Sequence, residues 1–401
     1  MLTYEEALAR VLAALPSVRS EQLPVAQAAG RFLAAAVVSP LDLPPFDNSA
    51  MDGYAVRAAD VATASAEQPV PLRLLGQVGA GQVFKRSVGP QTCVRLFTGT
   101  PLPAGADAVV MQEDTRAEGD TVLVLDRARP WENVRLRGED VKSGAMLATP
   151  GTRLGAGHLG LLAATGIARL RVARRPRVAV VATGSELRPP GKPLAPGQIY
   201  ESNRTLLAAL LTACGAEVRP LPLVPDTLTR TRNGLQRAFA EHDAVVTTGG
   251  ASVGQLDFVK AAFAELGGHQ EFWKVAIKPG KPFVFGTLQG KLLFGLPGNP
   301  VSAFVTFLLL VRPALLRWQG ATEVALPAHP GTLADPLVNR GDRRHFVRVR
   351  VDAEGRVHSA GTQASHMMHS LAAANALVDV PPATTLAAGA PVRVQRFDGC
   401  P

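Results

Sequence analysis

The sequence predicts an α/β multidomain protein: a central parallel-sheet α/β domain, an inserted β domain, an N-terminal helical/linker domain and a small C-terminal β domain. Three observations predict it. Between residues 176 and 320, apolar strand-length runs (RVAVVAT, EVRPLPLV, DAVVTT, LLFGL) alternate with helical segments (TLLAALLTACG, TRNGLQRAFAEH, FVKAAFAELG, VSAFVTFLLLVRPALLRW). That alternation implies parallel strands with helices on both faces. From 70 to 140, VPLRLLGQVGAG, TCVRLF, DAVVMQED and TVLVLD are short β-like runs split by Gly and Pro, and they read as a β domain inserted into a helical segment. After 327, HFVRVRV, RVHSA, LVDV and PVRVQRF return to strand.

Taken in order, residues 3–14 and 22–36 carry Ala and Leu at helical spacing and read as helices. PPFDNSAMDGYAVR at 44–57 is a Pro-anchored loop holding two carboxylates, Asp47 and Asp52. Turn chemistry accounts for Asp47, and Gly53 serves the backbone. GTRLGAGHLGLLAATG is helical again. Its GAGHLG, 155–160, matches GxGxxG but has neither a preceding apolar strand nor an acid about twenty residues on, so it reads as a helix entry. Gly76 to Gly81 is no P-loop, because Gln82 stands where the lysine belongs.

Composition narrows the function. Across 401 residues, 47% hydrophobic and 19% charged is the profile of a globular protein with real cores. A net charge of +9 admits nucleic acid, membrane surfaces or small anions. The basic residues are scattered, densest at Arg340, Arg343, Arg344, Arg348 and Arg350, and aromatics do not interleave with them. That pattern argues against nucleic acid. Cys93, Cys214 and Cys400 lack metal-ligand spacing and read as reduced thiols in a cytoplasmic protein. The N-terminus reads as an acidic amphipathic helix rather than a signal peptide, and the run AFVTFLLLV is too short to span a bilayer.

Ligands of open α/β sheets sit at the carboxyl ends of the strands. Here GSEL (Gly184, Ser185, Glu186), GGASVGQLD (Gly249, Gly250, Ser252, Asp257) and PGNPVSAF (Pro297, Gly298, Asn299, Pro300, Ser302) follow successive strands. Backbone N–H groups at such turns bind phosphate-like anions. Three in one sheet point to a nucleotide or phosphorylated ligand, although any one alone can simply close a tight turn. Asn299 reads as a helix N-cap with Pro300 first in the helix. FWKVAIKPGKPFVFG adds Lys274, Lys278 and Lys281, with Pro279 and Pro282 stiffening the last two. These lysines are either a solvated surface or the rim of a cleft, and the apolar flanks favour the rim. Glu186, Asp226 and Asp257 near the sheet edge supply hard oxygens suited to Mg²⁺, with Asp226 alternatively a helix cap; Asp52 and Asp140 lie in other domains.

PPFDNSAMDGYAV, FTGTPLPAGADAVVMQED, ENVRLRGEDVKSG, VVATGSEL, GQIYESN, TTGGASVG, IKPGKPFVFG and GLPGNPVSAF occur in order over nearly the whole chain. Together they closely resemble the molybdopterin molybdenumtransferase family, the MoeA type also found as the C-terminal domain of gephyrin. The resemblance implies a helical linker domain (1–45 and 141–173), an inserted β lid (46–140), an α/β domain of molybdopterin-binding type (174–326) and a C-terminal β domain (327–401). It implies an elongated homodimer whose active site lies between the α/β domain of one subunit and the lid of the other. It further implies that adenylylated molybdopterin and molybdate are substrates, that Mg²⁺ or a similar ion assists, and that AMP is released. By motif, Asp52, Thr98, Asp140, Glu186, Asp226, Asp257, Lys274 and Lys278 match the family's important polar residues, and Lys281, Pro282, Ser302, Arg348 and Ser365 its molybdate pocket, with Ser370 competing for the place of Ser365. Glu201 stands where the family often has Asp, and Ala251 where Val is common. A molybdate oxygen and a water are both candidate attacking groups. Transient contacts with a molybdopterin adenylyltransferase and with molybdoenzyme apoproteins are expected. A molybdopterin adenylyltransferase and a gephyrin-like scaffold without catalysis are the rival readings.

Overall fold

The computed structural model describes residues 1–250 and 258–398. Ser252, Asp257 and Cys400 therefore lie outside the described residues.

Helix α1, Tyr4–Ala13, starts with a reciprocal cap: the Glu6 N–H donates to Thr3 Oγ1 (3.2 Å) and the Thr3 N–H to the Glu6 carboxylate (2.8 Å). Its buried face, Ala7 and Val11, packs in one cluster with Val178, Phe283 and Phe346. The helix therefore docks on the α/β unit. The helix expected over 22–36 does not form. Ser20–Pro24 is a strand paired antiparallel with Arg169–Ala173, followed only by a short 3₁₀ turn, Val25–Gln27. Pro24 and Gly30 (φ +71°) interrupt helix, and burial of Leu33 with Leu162, Leu170 and Val172 overrides the Ala-rich propensity. Helix α2, Ala156–Ala164, begins at Gly155, whose N–H donates to His158 Nδ1 (3.2 Å). The GAGHLG stretch is a helix entry, as its context indicates.

The central sheet contains β1 (Arg177–Ala182), β2 (Glu217–Pro220), β3 (Ala244–Thr248), β4 (His269–Lys274), β5 (Pro282–Leu288) and β6 (Lys291–Leu296), in the order β2-β1-β3-β6-β5-β4. Strands β2, β1, β3 and β6 are parallel, as expected, but β5 pairs antiparallel with both β6 and β4. The sheet is mixed because only Gln289 and Gly290, both at positive φ, separate β5 from β6, and a two-residue turn forces an antiparallel pair. Along β1, Val178 and Val180 face a core shared with α3 (Asn203–Ala213) and α6 (Pro300–Trp318), while Ala179 and Val181 face α4 (Leu228–Glu241) and α5 (Phe258–Glu265). The strand period of two thus places helices on both faces.

Helix α6 extends the short apolar run to 19 residues and, among the described residues, is the one helix long and apolar enough to cross a membrane. Its most apolar window is 89% buried inside the protein, so its apolarity is used in the core. A π-helical turn, Phe307–Val311, interrupts it.

The inserted domain is a six-stranded sheet, from Ala108–Met111 at one edge to Thr115–Glu118 at the other. Arg137 ties its root: the backbone N–H donates to Asp47 (2.7 Å) and Nε to Asp42 (2.6 Å). In the C-terminal domain Arg344–Val351 pairs with both Arg356–Ser359 and Ala376–Val380. It also pairs in parallel with Ile277–Lys278 of the lysine segment, which fixes that segment against the C-terminal domain.

Candidate active site

The loops after β1, β3 and β6 converge on a cleft of about 440 Å³. Glu186, Gly249, Gly250, Gly298, Asn299 and Pro300 line it together with Thr183, Leu187, Ile199, Tyr200, Asn203 and Thr248. Backbone and neutral polar groups dominate the floor. Asn203 joins the loops: its Nδ2 donates to Thr248 Oγ1 and to the Gly298 carbonyl, both at 2.7 Å. Gly249 sits at φ +81°, and a Cβ there would lie 2.5 Å from the Thr183 carbonyl oxygen, so only glycine fits this crossing.

A second cleft, about 570 Å³, lies beside the first. Lys278, Lys281, Pro282, Pro297, Asn299, Ser302 and Ser365 line it, with Pro279, Gly280, Arg343 and Gln363. Asn299 belongs to both clefts. It occupies the N-cap position of α6 with Pro300 first in the helix, but its side chain does not cap. Instead its Nδ2 donates to Ser365 Oγ (3.0 Å), and the Val301 N–H donates to the Ser365 carbonyl (3.2 Å). Lys278 and Lys281 are exposed on the rim, while Pro279 and Gly280 are buried.

Arg348 does not line this cleft. It is fully buried, and its Nη2 donates to the Thr362 and Ala364 carbonyls and to Ser370 Oγ. Its backbone N–H and carbonyl hold the Gln363 amide that lines the cleft. Among the described residues Nε and Nη1 are buried without a partner, and burial lowers the arginine's pKa. So Ser365 faces the cleft, and Ser370 sits behind it with Arg348. His345, paired by backbone with Lys278, is also buried with neither ring nitrogen bonded. Burial, with Lys278, Arg348 and Arg343 adding to it, pushes its pKa down to about 4.

Ser185 and Asp226 bond reciprocally: the Ser185 N–H donates to Asp226 Oδ2 (2.9 Å) and the Asp226 N–H to Ser185 Oγ (3.1 Å). Asp226 thus braces the Gly184–Glu186 loop, and among the described residues its Oδ1 has no hydrogen-bond donor. Among the described residues no three His, Cys, Asp or Glu side chains gather as a metal cage. Lys274 borders neither cleft; its ammonium lies 3.6 Å from the Trp273 ring centroid. Asp52 accepts the Thr98 N–H (2.7 Å) and hydroxyl (2.8 Å), and these bonds, the backbone one first, hold its carboxyl below the usual range. Asp52, Thr98 and Asp140 sit exposed on the inserted domain or its root and border neither cleft of their own chain. Tyr200, Asn203 and Thr183 were not singled out by sequence reasoning, although GQIYESN carried two of them.

Three glycine-containing loops at the carboxyl edge of an α/β sheet, with a lysine-rimmed compartment beside them, define the class as a multidomain α/β protein with a composite cleft. Residues 2–166 match the MoeA N-terminal region (domain I and II), 179–317 a probable molybdopterin binding domain, and 330–397 the MoeA C-terminal region (domain IV). A "Molybdopterin molybdenumtransferase" of Haemophilus influenzae is 40% identical over 385 residues, covering 94% of each chain. A "Molybdopterin molybdenumtransferase 2" of Mycobacterium tuberculosis is 41% identical over 365 residues, covering 90% of each. The crystal structure of a molybdopterin biosynthesis MoeA protein from Pyrococcus horikoshii superposes with a TM-score of 0.84 at 34% identity over 99% of both chains. The chain belongs to the molybdopterin molybdenumtransferase (MoeA) family, enzymes of molybdenum cofactor biosynthesis.

Proposed function

We propose that this enzyme takes adenylylated molybdopterin and molybdate, breaks the pyrophosphate link, releases AMP and leaves molybdenum on the dithiolene. The observation that carries this reading is the cleft rimmed by Lys278 and Lys281 and joined at Asn299 to the polar cleft, with the buried guanidinium of Arg348 behind its wall. The two rim ammonium groups suit an incoming oxyanion, and Arg348 holds the Thr362 and Ala364 carbonyls behind them. The adjoining polar cleft suits the phosphate-bearing substrate, with Asn299 at the seam.

Bringing a dianionic oxyanion to a pyrophosphate is repulsive, so the chain's own work is to gather cations and oriented N–H groups around both. Asp226, whose Oδ1 has no donor among the described residues, and Glu186, on the cleft wall, fit a Mg²⁺ ion that keeps several waters; Asp257 is a third candidate. When bound, that ion polarises the pyrophosphate. Asp52, Thr98 and Asp140 point to a homodimer in which a second subunit's inserted domain faces this cleft, since they border neither cleft of their own chain. Lys274 acts in this reading as a charge near the substrate rather than as a cleft wall. Cytoplasmic action, with transient contacts to the preceding adenylyltransferase and to molybdoenzyme apoproteins, completes the reading.

The test is reconstitution with adenylylated molybdopterin. AMP should appear in a molybdate-dependent manner, and Arg348→Met should lose that dependence. Pyrophosphate released from ATP and molybdopterin would instead support the adenylyltransferase reading, and no turnover with either substrate a scaffold.

A further inference from the structure

We propose that Tyr200 is the platform on which the adenine of the adenylyl group lies. The inference rests on the substrate proposed above and specifies how the polar cleft holds it.

The two clefts share Asn299, so a substrate spanning both crosses there. Molybdenum must meet the dithiolene sulfurs, which places the sulfur-bearing half in the lysine–arginine cleft with the oxyanion. The adenosine, on the other side of the pyrophosphate, then falls in the cleft that Tyr200 lines. That cleft has a polar floor but an apolar wall, Leu187, Ile199 and Tyr200.

Tyr200 is 49% exposed, and among the described residues its ring meets neither an aromatic ring nor a cation. The other two tyrosines are occupied: Tyr4 lies edge-on to Phe346 at 5.7 Å, and the Arg95 guanidinium covers Tyr54 at 4.8 Å. Although exposed, Tyr200 is clamped. Leu187 and Arg188 pair in parallel with Ile199 and Tyr200, the Ile199 N–H donates to the Glu186 carbonyl (3.0 Å), and the Glu201 N–H donates to the Arg188 carbonyl (2.9 Å). The buried carboxylate of Glu201, bonded to Arg204 Nε at 2.9 Å, anchors the next residue. An uncovered aromatic face on a fixed backbone beside a phosphate cradle suits a planar heterocycle, because an aromatic ring with two side-chain torsions loses little entropy when a base stacks on it.

Calorimetric titration of the full-length protein tests this with three probes: AMP, ribose 5-phosphate, which lacks the base, and molybdate. Tyr200→Ala should weaken AMP by about tenfold or more, within the range for base–aromatic stacking. Tyr200→Phe should retain most of the affinity, and ribose 5-phosphate and molybdate should bind all three proteins alike. AMP binding unchanged in Tyr200→Ala, or AMP and ribose 5-phosphate weakened equally, would overturn the platform while leaving the substrate assignment standing. A wild-type protein that binds neither AMP nor ribose 5-phosphate would overturn the assignment and the platform with it.

Discussion

The two clefts that meet at Asn299 are built on opposite principles. The cleft holding Tyr200 is made mainly of backbone turns and neutral side chains, with Glu186 and Glu201 the charged groups in its lining, and is fixed by the bonds of Asn203 to Thr248 and Gly298. The lysine cleft relies on charge: two exposed ammonium groups on its rim and a buried guanidinium behind it. A backbone cradle is prepaid in folding and tolerates no added atoms. A charge cradle tolerates shape changes but depends on its counter-ions and on pH. The difference predicts how each side fails.

The largest effect should come from the backbone side. Gly249→Ala forces a Cβ against the Thr183 carbonyl at φ +81°, a strain on the order of 1–3 kcal/mol or more. A marked fall in melting temperature should accompany loss of AMP binding, and a wild-type melting curve would show that the cradle is not rigid. Next, Arg348→Met should weaken molybdate binding by about tenfold or more, because it removes the hydrogen bonds that hold the Thr362–Ala364 wall of the cleft, each worth about 0.5–1.5 kcal/mol, while lowering stability less than Gly249→Ala. Equal damage to AMP and molybdate titrations would blur the division between the clefts.

Lys281→Ala should raise the molybdate requirement only a few-fold, because its charge is exposed and screened. That difference from wild type should shrink as salt increases, and a salt-independent effect would argue for a direct packing role. The smallest effect is pH dependence. His345 is held neutral, its pKa lowered from 6.5 to about 4. A depressed folded pKa means stability is present above 6.5 and is lost as pH falls from there towards 4. His345→Gln should therefore flatten the fall in melting temperature across that window; an identical fall in both proteins would place the acid sensitivity elsewhere.

Much of this site was legible in the chain. Gly249, Gly250, Glu186, Gly298 and Pro300 border one cleft, Lys278, Lys281, Pro297 and Ser302 the other, and Asn299 both, because strand ends and turn residues are local signals. Other features were not. The segment 22–36 looked helical by spacing, yet Ser20–Pro24 found a strand partner nearly 150 residues away in Arg169–Ala173. Arg348 read as a cleft-lining residue, but strand register sends it behind the wall. Asn299 bonds Ser365 rather than its own helix, a choice that exists only once the C-terminal domain docks.

By itself the sequence determined the alternation of strands and helices, the positions of the turns and which chemical groups those turns carry, since each depends on residues adjacent in the chain. Tertiary structure decided the antiparallel half of the sheet's place at its edge, the burial of Arg348 and His345, and the division of the site into a backbone-built cleft without cations and a cationic one. Those depend on which distant surfaces exclude water from one another, and spacing along a chain does not encode that exclusion.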